Sequence, residues 1–213
     1  MKIFSRSDVH DIWARFVQPE HLVWTWRMLG DLYGGSERYY HQLDHIGACL
    51  SELESMPDPG GLNLQVVTLA LIWHDAVYVP GDSLNEQLSA SLLRSLTPAI
   101  TVKSRIVDWA CNAILVTQHH DGEALGDNTI AAVVDIDLSI LGTDSATYDR
   151  YAQAVRREFA HVSDEAWRHG RSTFLAGMLA RNGPIFTLAS MRDRYEMKAR
   201  ENMQREHDAL VSQ

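Results

Sequence analysis

The segment from Leu62 to Tyr78 is apolar at almost every position and closes on Trp73-His74-Asp75-Ala76-Val77-Tyr78. Periodicity alone allows a buried strand or a central helix. Its length and its leucine and alanine content favour a helix covered on most sides. Its longest unbroken part, Val66 to Trp73, is too short to span a bilayer, which takes about 20 apolar residues. A helix that is apolar all round must be wrapped by other elements, so the rest of the chain has to supply layers around it. The histidine and aspartate at its end are the anomaly. Burying an unpaired carboxylate costs several kcal/mol, so burial there demands a partner, and a divalent metal is one. The bland alternative puts the pair just beyond the core, solvated at a helix end.

The surrounding pattern is helical. Ser7 and Asp8 are candidate caps for a helix through Ile12, Trp13 and Phe16, and Pro19 opens a second. After Gly34-Gly35-Ser36, a helix is expected from about Glu37 to Met56, with Leu43, Ile46, Cys49, Leu50 and Leu53 at three- and four-residue intervals. Pro57-Asp58-Pro59-Gly60-Gly61 and Pro80-Gly81-Asp82 are turns. Further helices are expected over 83–96, from Pro98 through Val116, over 129–141, 145–160 and 164–180, and from Pro184 to about Leu210. The expected architecture is therefore all-α, one domain spanning 1–213, with no internal repeat and no linker.

Three other features break the apolar pattern. His41-x-x-x-His45 puts both rings on one helix face if the helix includes them. Asp135-x-Asp137 interrupts the run Ala131 to Leu141, and either carboxylate can face a metal while the other caps or meets solvent. His119-His120-Asp121 follows a long helix, where at least one histidine is a candidate ligand. Imidazoles mixed with carboxylates suit Mn, Fe, Co, Ni or Zn better than an all-oxygen calcium site. Cys49 and Cys111 form no CxxC pair, which argues against a structural thiolate zinc site and against a disulfide framework, and for a reducing cytoplasm.

These residues resemble the HD superfamily of metal-dependent phosphohydrolases: an isolated histidine, a His-Asp doublet and a distant aspartate, all on helices. The resemblance rests on Arg38-Tyr39-Tyr40-His41-x-x-x-His45-Ile46, Trp73-His74-Asp75-Ala76-Val77-Tyr78, Asn85-Glu86-x-x-Ser89-Ala90, Asp135-x-Asp137-Leu138-x-Ile140-Leu141-Gly142 and Tyr151-x-x-x-Val155-Arg156-x-Glu158-Phe159. It covers about residues 36–160, with C-terminal helices packing on that part. It implies an HD-type helical bundle and a metal held by His45, His74, Asp75 and Asp137. The first segment is also similar to the Tyr-His-Asn-x-x-His motif of cyclic-nucleotide phosphodiesterases, with Gln42 in place of asparagine. That likeness makes His41 the general acid, and Asp137-Leu138-Ser139 favours Asp137 over Asp135 as the ligand. Two-metal members add histidines in the interval that holds His119 and His120, so one or two ions are expected. Arg38 is a candidate phosphate ligand and Glu86 a base or a partner of a metal ligand. Arg156 and Glu158 are expected to form a structural ion pair or to pack over the site.

The implied activity is hydrolysis of a phosphoester in a small phosphorylated metabolite, with a nucleotide as the substrate class. Two rivals share the scaffold: a di-iron oxygenase that also uses His119 and His120, and a catalytically silent nucleotide-binding module. The net charge of −9 disfavours a large nucleic-acid interface but not a small anion at a metal. No membrane contact is expected, and self-association is left open.

Overall fold

The computed structural model describes residues 4–56, 61–120 and 126–212. The turn expected at Pro57 to Gly60 and the Asp121-Gly122 loop lie outside them. The described residues form ten α-helices: α1 (Arg6–Trp13), α2 (Pro19–Tyr33), α3 (Leu43–Ser55), α4 (Leu64–Trp73), α5 (Asn85–Ser95), α6 (Ser104–Thr117), α7 (Asn128–Asp137), α8 (Ser145–Glu158), α9 (Asp164–Leu179) and α10 (Ala189–Val211). Among the described residues there is no strand, and the protein is an all-α bundle. No helix among them is long and apolar enough to cross a membrane.

The central apolar segment is helix α4. Asn63 caps it by accepting the Val66 amide, and from Val66 to Trp73 every residue is buried. It packs against α3, α5, α6 and α7. Each buried aliphatic side chain contributes about 1.5–3 kcal/mol relative to exposure, so this fully buried helix contributes strongly to core stability. Its C-terminal carbonyls have no helical partners and are too deep for water. Side chains take them instead. The Tyr33 hydroxyl donates to the Ile72 carbonyl at 2.8 Å, and His74 Nδ1 donates to that of Leu71 at 3.0 Å.

Several boundaries differ from expectation, each for a local reason. Helix α1 is capped by Ser5 rather than Ser7, and Asp8 closes a capping box with it. Helix α3 starts at Leu43, not near Glu37, because the amides of residues 39–41 all point at one carboxylate from α8. Pro98 opens no long helix. Thr97–Ala99 is a single 3-10 turn, and Ile100 then pairs with Val17 in an isolated bridge before α6 begins. After α7 the chain tightens into a 3-10 segment, Leu138–Gly142, under α10. Gly142 is required there, since a Cβ would lie 2.6 Å from Tyr195 Cβ. Residues 184–188 precede α10 in non-helical form because Asp135 and Glu196 accept their amides.

The core role of α4 makes Leu71→Ala costly. Truncating this fully buried leucine should lower the unfolding free energy by about 2–5 kcal/mol. Leu115→Ala, on the exposed side of α6, should change it by no more than about 0.5 kcal/mol. Urea unfolding of both variants checks the contrast.

Candidate metal centre

Four side chains from three helices meet at the C-terminal end of α4. His45 comes from the first turn of α3, His74 and Asp75 end α4, and Asp137 ends α7. His45 and His74 are buried, and the two carboxylates are nearly so, with side chains 14% and 16% exposed. His45 Nε2 lies 3.3 Å from His74 Nε2, 3.7 Å from Asp75 Oδ2 and 3.2 Å from Asp137 Oδ1. His74 Nε2 lies 2.9 Å from Asp75 Oδ2 and 3.4 Å from Asp137 Oδ1. For ligand bonds of about 2.0–2.2 Å, a coordination tetrahedron has edges of about 3.3–3.6 Å; the spacings here, 2.9–3.7 Å, lie around that range, and two overlapping groups, His45–His74–Asp75 and His45–Cys49–Asp137, could hold an ion. The tautomer fits as well. His74 Nδ1 donates its proton to Leu71, which leaves the Nε2 lone pair facing the cluster. The His45 and His74 Nε2 atoms, 3.3 Å apart, can share a proton in the bare chain, and a cation between them would take that proton's place. Clustered His, Cys and Asp side chains in this chain can hold a metal ion.

The electrostatics agree. Burial opposes the charge on Asp75 and Asp137, but the imidazoles beside them outweigh it. His74 and His41 hold the Asp75 pKa below its ordinary value, and His74 and His45 do the same for Asp137. Burial likewise opposes protonation of His74, yet Asp75 and Asp137 raise its pKa well above the usual histidine value. In the bare chain a proton supplies the positive charge that two buried carboxylates demand. A bound divalent ion supplies it instead.

Cys49, expected only as an apolar position of α3, stands against this cluster. Its Sγ is 3.7 Å from both ring nitrogens of His45, a packing contact rather than an aimed bond. Burial and the carboxylates of Asp137, Asp75 and Glu52 push its thiol pKa well up, and with His45 and Asp137 it forms one of the groups that could hold an ion.

The His41 ring neighbours the cluster but is not on a helix. Its centroid lies 6.0 Å from that of His45, and it stacks on Tyr78 at 4.2 Å. Glu158, the last residue of α8, fixes it there. Glu158 Oε2 takes His41 Nδ1 at 2.6 Å and the Tyr78 hydroxyl at 3.0 Å. Glu158 Oε1 accepts the amides of Tyr39, Tyr40 and His41 at 2.7, 2.7 and 3.0 Å. These bonds overcome burial and hold the Glu158 pKa down at about 2. Burial lowers the His41 pKa, but Asp75 and Glu158 outweigh it and leave it raised. The expected Arg156–Glu158 ion pair does not form. Arg156 donates instead to Asp164 and to the carbonyls of Phe159 and Val162. Glu158 is the site residue that sequence reasoning undervalued. Its signal in the sequence was weak, because in Val155-Arg156-Arg157-Glu158-Phe159 the neighbouring arginines suggest a local ion pair instead.

Arg38 also has a different role from the one expected. It is buried, and its guanidinium donates to the carbonyls of His41 (2.9 Å), Asp75 (2.8 Å) and Ala76 (3.0 Å) between the rings of Tyr33 and Tyr78. The Asp75 and Ala76 carbonyls lie just past the end of α4, where a cation also suits the helix dipole, and the His41 carbonyl lies in the turn before α3. Arg38 therefore braces the backbone under Asp75 and offers no free fork to a phosphate. Asn85 and Ser89 brace the next segment, pairing with the backbone of Val79 and Val77. Glu86 beside them is half-buried near Asp75, His74 and His119. Burial foremost, with Asp75, raises its pKa.

Of the histidines after α6, His119 is exposed and His120 turns inward. His120 adopts φ +50°, a conformation rare for a residue with a Cβ, and Arg181 holds both carbonyls. Its Nε2 is 3.8 Å from Asp137 Oδ2. Asp135 is fully buried on the other side of α7, where it accepts the Thr187 and Leu188 amides at 2.9 and 2.7 Å and leads into α10. Asp137, not Asp135, is the carboxylate brought to the two histidines.

Comparison with protein-family models, with curated proteins and with solved structures returns no match. The chemistry of the site therefore carries the reading that follows.

Two outcomes follow from these bonds. Because the folded-state pKa of Glu158 lies below its ordinary 4.5, its stabilising effect is present above about pH 4.5 and is lost as pH falls towards about 2. It is worth about 3 kcal/mol. Glu158→Gln should flatten that stretch of the stability–pH curve, measured by urea unfolding between pH 2.5 and 7. Arg38→Met should lose about 3 kcal/mol or more of stability, because it strands buried carbonyls. A phosphate ligand on the surface would leave the melting temperature unchanged.

Proposed function

We propose that this chain is a metal-dependent phosphohydrolase of the HD type, acting on a phosphoester in a small phosphorylated metabolite, with nucleotides the expected class. The observation that carries the reading is the meeting of His45, His74, Asp75 and Asp137 at coordination spacing, next to an imidazole tied to a buried carboxylate. A divalent transition ion in that cluster, Mn, Fe, Co, Ni or Zn, supplies Lewis-acid charge and a water of lowered pKa.

The chain's own residues supply the rest. His45 and His74 present nitrogen donors, and Asp75 and Asp137 present oxygens, in a pocket dry enough to strengthen their field. Glu158 accepts the Nδ1 proton of His41 and so leaves Nε2 as the proton-moving atom. In hydrolysis, the oxygen of a water bonds to phosphorus and the ester P–O bond breaks. The leaving oxygen takes the proton from His41 Nε2, and the water's proton passes to solvent. Tyr78 and Tyr40 pack on the His41 ring and hold its plane. Glu86, whose pKa the Asp75 charge helps to raise, is the candidate outer partner of that carboxylate.

A second ion is favoured by one contact, His120 Nε2 at 3.8 Å from Asp137 Oδ2. That contact also serves the di-iron oxygenase reading, which iron content and oxygen uptake would separate from hydrolysis.

The test begins with metal content of protein purified without chelator or affinity nickel. Wild type should carry one or two transition ions, and His74→Ala and Asp137→Ala should lose them. His41→Ala should keep the metal while phosphate release drops about 10²- to 10⁴-fold. A metal-free wild type that binds no added Mn, Co or Ni would end the hydrolase reading.

A further inference from the structure

A cavity of about 330 Å³ opens beside the cluster, with His45 and Asp137 in its wall. Two of the four candidate ligands are therefore shared between the metal centre and this cavity. Ligand pockets start at about 300 Å³, so the space suits a single ring system and not an extended chain or a second nucleotide. Its wall is mainly apolar, with Tyr40, Ala48, Ile136 and Ile140 prominent, and it has hydroxyl and amide groups on Gln42 and Ser139.

Charge decides what enters. No lysine or arginine lines the cavity, and its charged residues beyond the cluster are Asp44 and Glu52. Glu52 is buried and already committed. It accepts Arg194 Nη1 at 2.5 Å and the Tyr195 hydroxyl at 2.6 Å. The arginines nearest its wall are engaged, Arg194 with Glu52 and Tyr195, Arg157 over the Tyr39 ring and Arg150 with the Thr147 hydroxyl, and Asp44 and Asp137 repel a second phosphate or a carboxylate. Aromatic walls favour a flat guest.

We propose that this cavity binds a flat, uncharged aromatic or heteroaromatic group. Taken with the phosphohydrolase reading, on which this step rests, it makes the substrate a phosphomonoester with such a group as its organic part. Esters that carry a second anionic group, polyphosphates included, are poor substrates.

The test uses 2-naphthol as a neutral probe of the cavity, with inorganic phosphate, 2-naphthyl phosphate and glycerol 2-phosphate on the metal-loaded protein. Ala48→Trp fills the cavity from an exposed position on α3, and Thr147→Phe fills it from α8 should the first variant melt early. Calorimetry should show 2-naphthol binding to wild type, weakened at least tenfold in either variant, with phosphate affinity changed less than twofold. The wild type should bind 2-naphthyl phosphate at least tenfold more tightly than glycerol 2-phosphate. The proposal is overturned if 2-naphthol does not bind, if it binds wild type and both variants alike, or if the two esters bind equally. Failure of the hydrolase reading looks different: 2-naphthol binds in the cavity, but no ester releases phosphate with any metal.

Discussion

Two nearly buried carboxylates, Asp75 just after the fully buried helix α4 and Asp137 at the end of α7, impose the constraint on which the site depends. Asp75 and Asp137 sit where water cannot solvate them well, and their charge must be balanced locally. The chain meets this demand with His45 and His74, which bring both carboxylates within 3.7 Å of a ring nitrogen. Without a cation a proton on His74 balances the two carboxylates, and a bound ion would take its place. The stability of the core and the affinity of the centre are thus linked through α4, which fixes His74 and Asp75 with the rigidity of a packed helix.

A second shell of bonds transmits that rigidity to the groups that would do chemistry. Arg38 ties the His41, Asp75 and Ala76 carbonyls together, so the turn before α3 and the turn after α4 move as one body. Glu158 then reaches in from α8 and clamps the same turn from its amide side. One carboxylate and one guanidinium, 120 residues apart, hold a short irregular loop in a single shape. The loop needs both because a helix would have satisfied its own backbone, and this stretch is not helical.

The cavity beside the cluster follows from the same packing. Asp137 ends α7, and the tight 3-10 segment after it passes beneath α10 only because Gly142 lacks a side chain. That sharp path leaves open space between α3, the start of α8 and α10. The Glu52–Arg194–Tyr195 bonds close its far side while neutralising the one buried acid there. The result is a mainly apolar recess with tyrosines in its wall, next to a strongly polar centre, a division of labour suited to holding a polar reacting group and an apolar remainder.

Much of this was legible in the sequence, and the physical reason is local. Helix periodicity, the apolar segment around Ala70 and the cost of burying His74-Asp75 depend on residues close in the chain, so the all-α class and the His74-Asp75 pair could be read directly, whereas the choice of His45 over His41 as the ligand came from resemblance. The choice of Asp137 over Asp135 came from resemblance, and the structure explains it: the two side chains leave α7 in different directions, and Asp135 is consumed by the Thr187 and Leu188 amides. Only the tertiary structure could decide the roles of Arg38 and Glu158. Arg38 looks like a phosphate ligand until the carbonyls around it are counted, and those belong to residues up to 38 positions away. Glu158 looks like half of an ion pair with Arg156 until the fold places it 117 residues from its partner His41 in sequence but 2.6 Å in space. Spacing along the chain fixes which side chains share a helix face. Which unsatisfied backbone group a buried charge will meet is set by how the helices cross, and no local pattern encodes that.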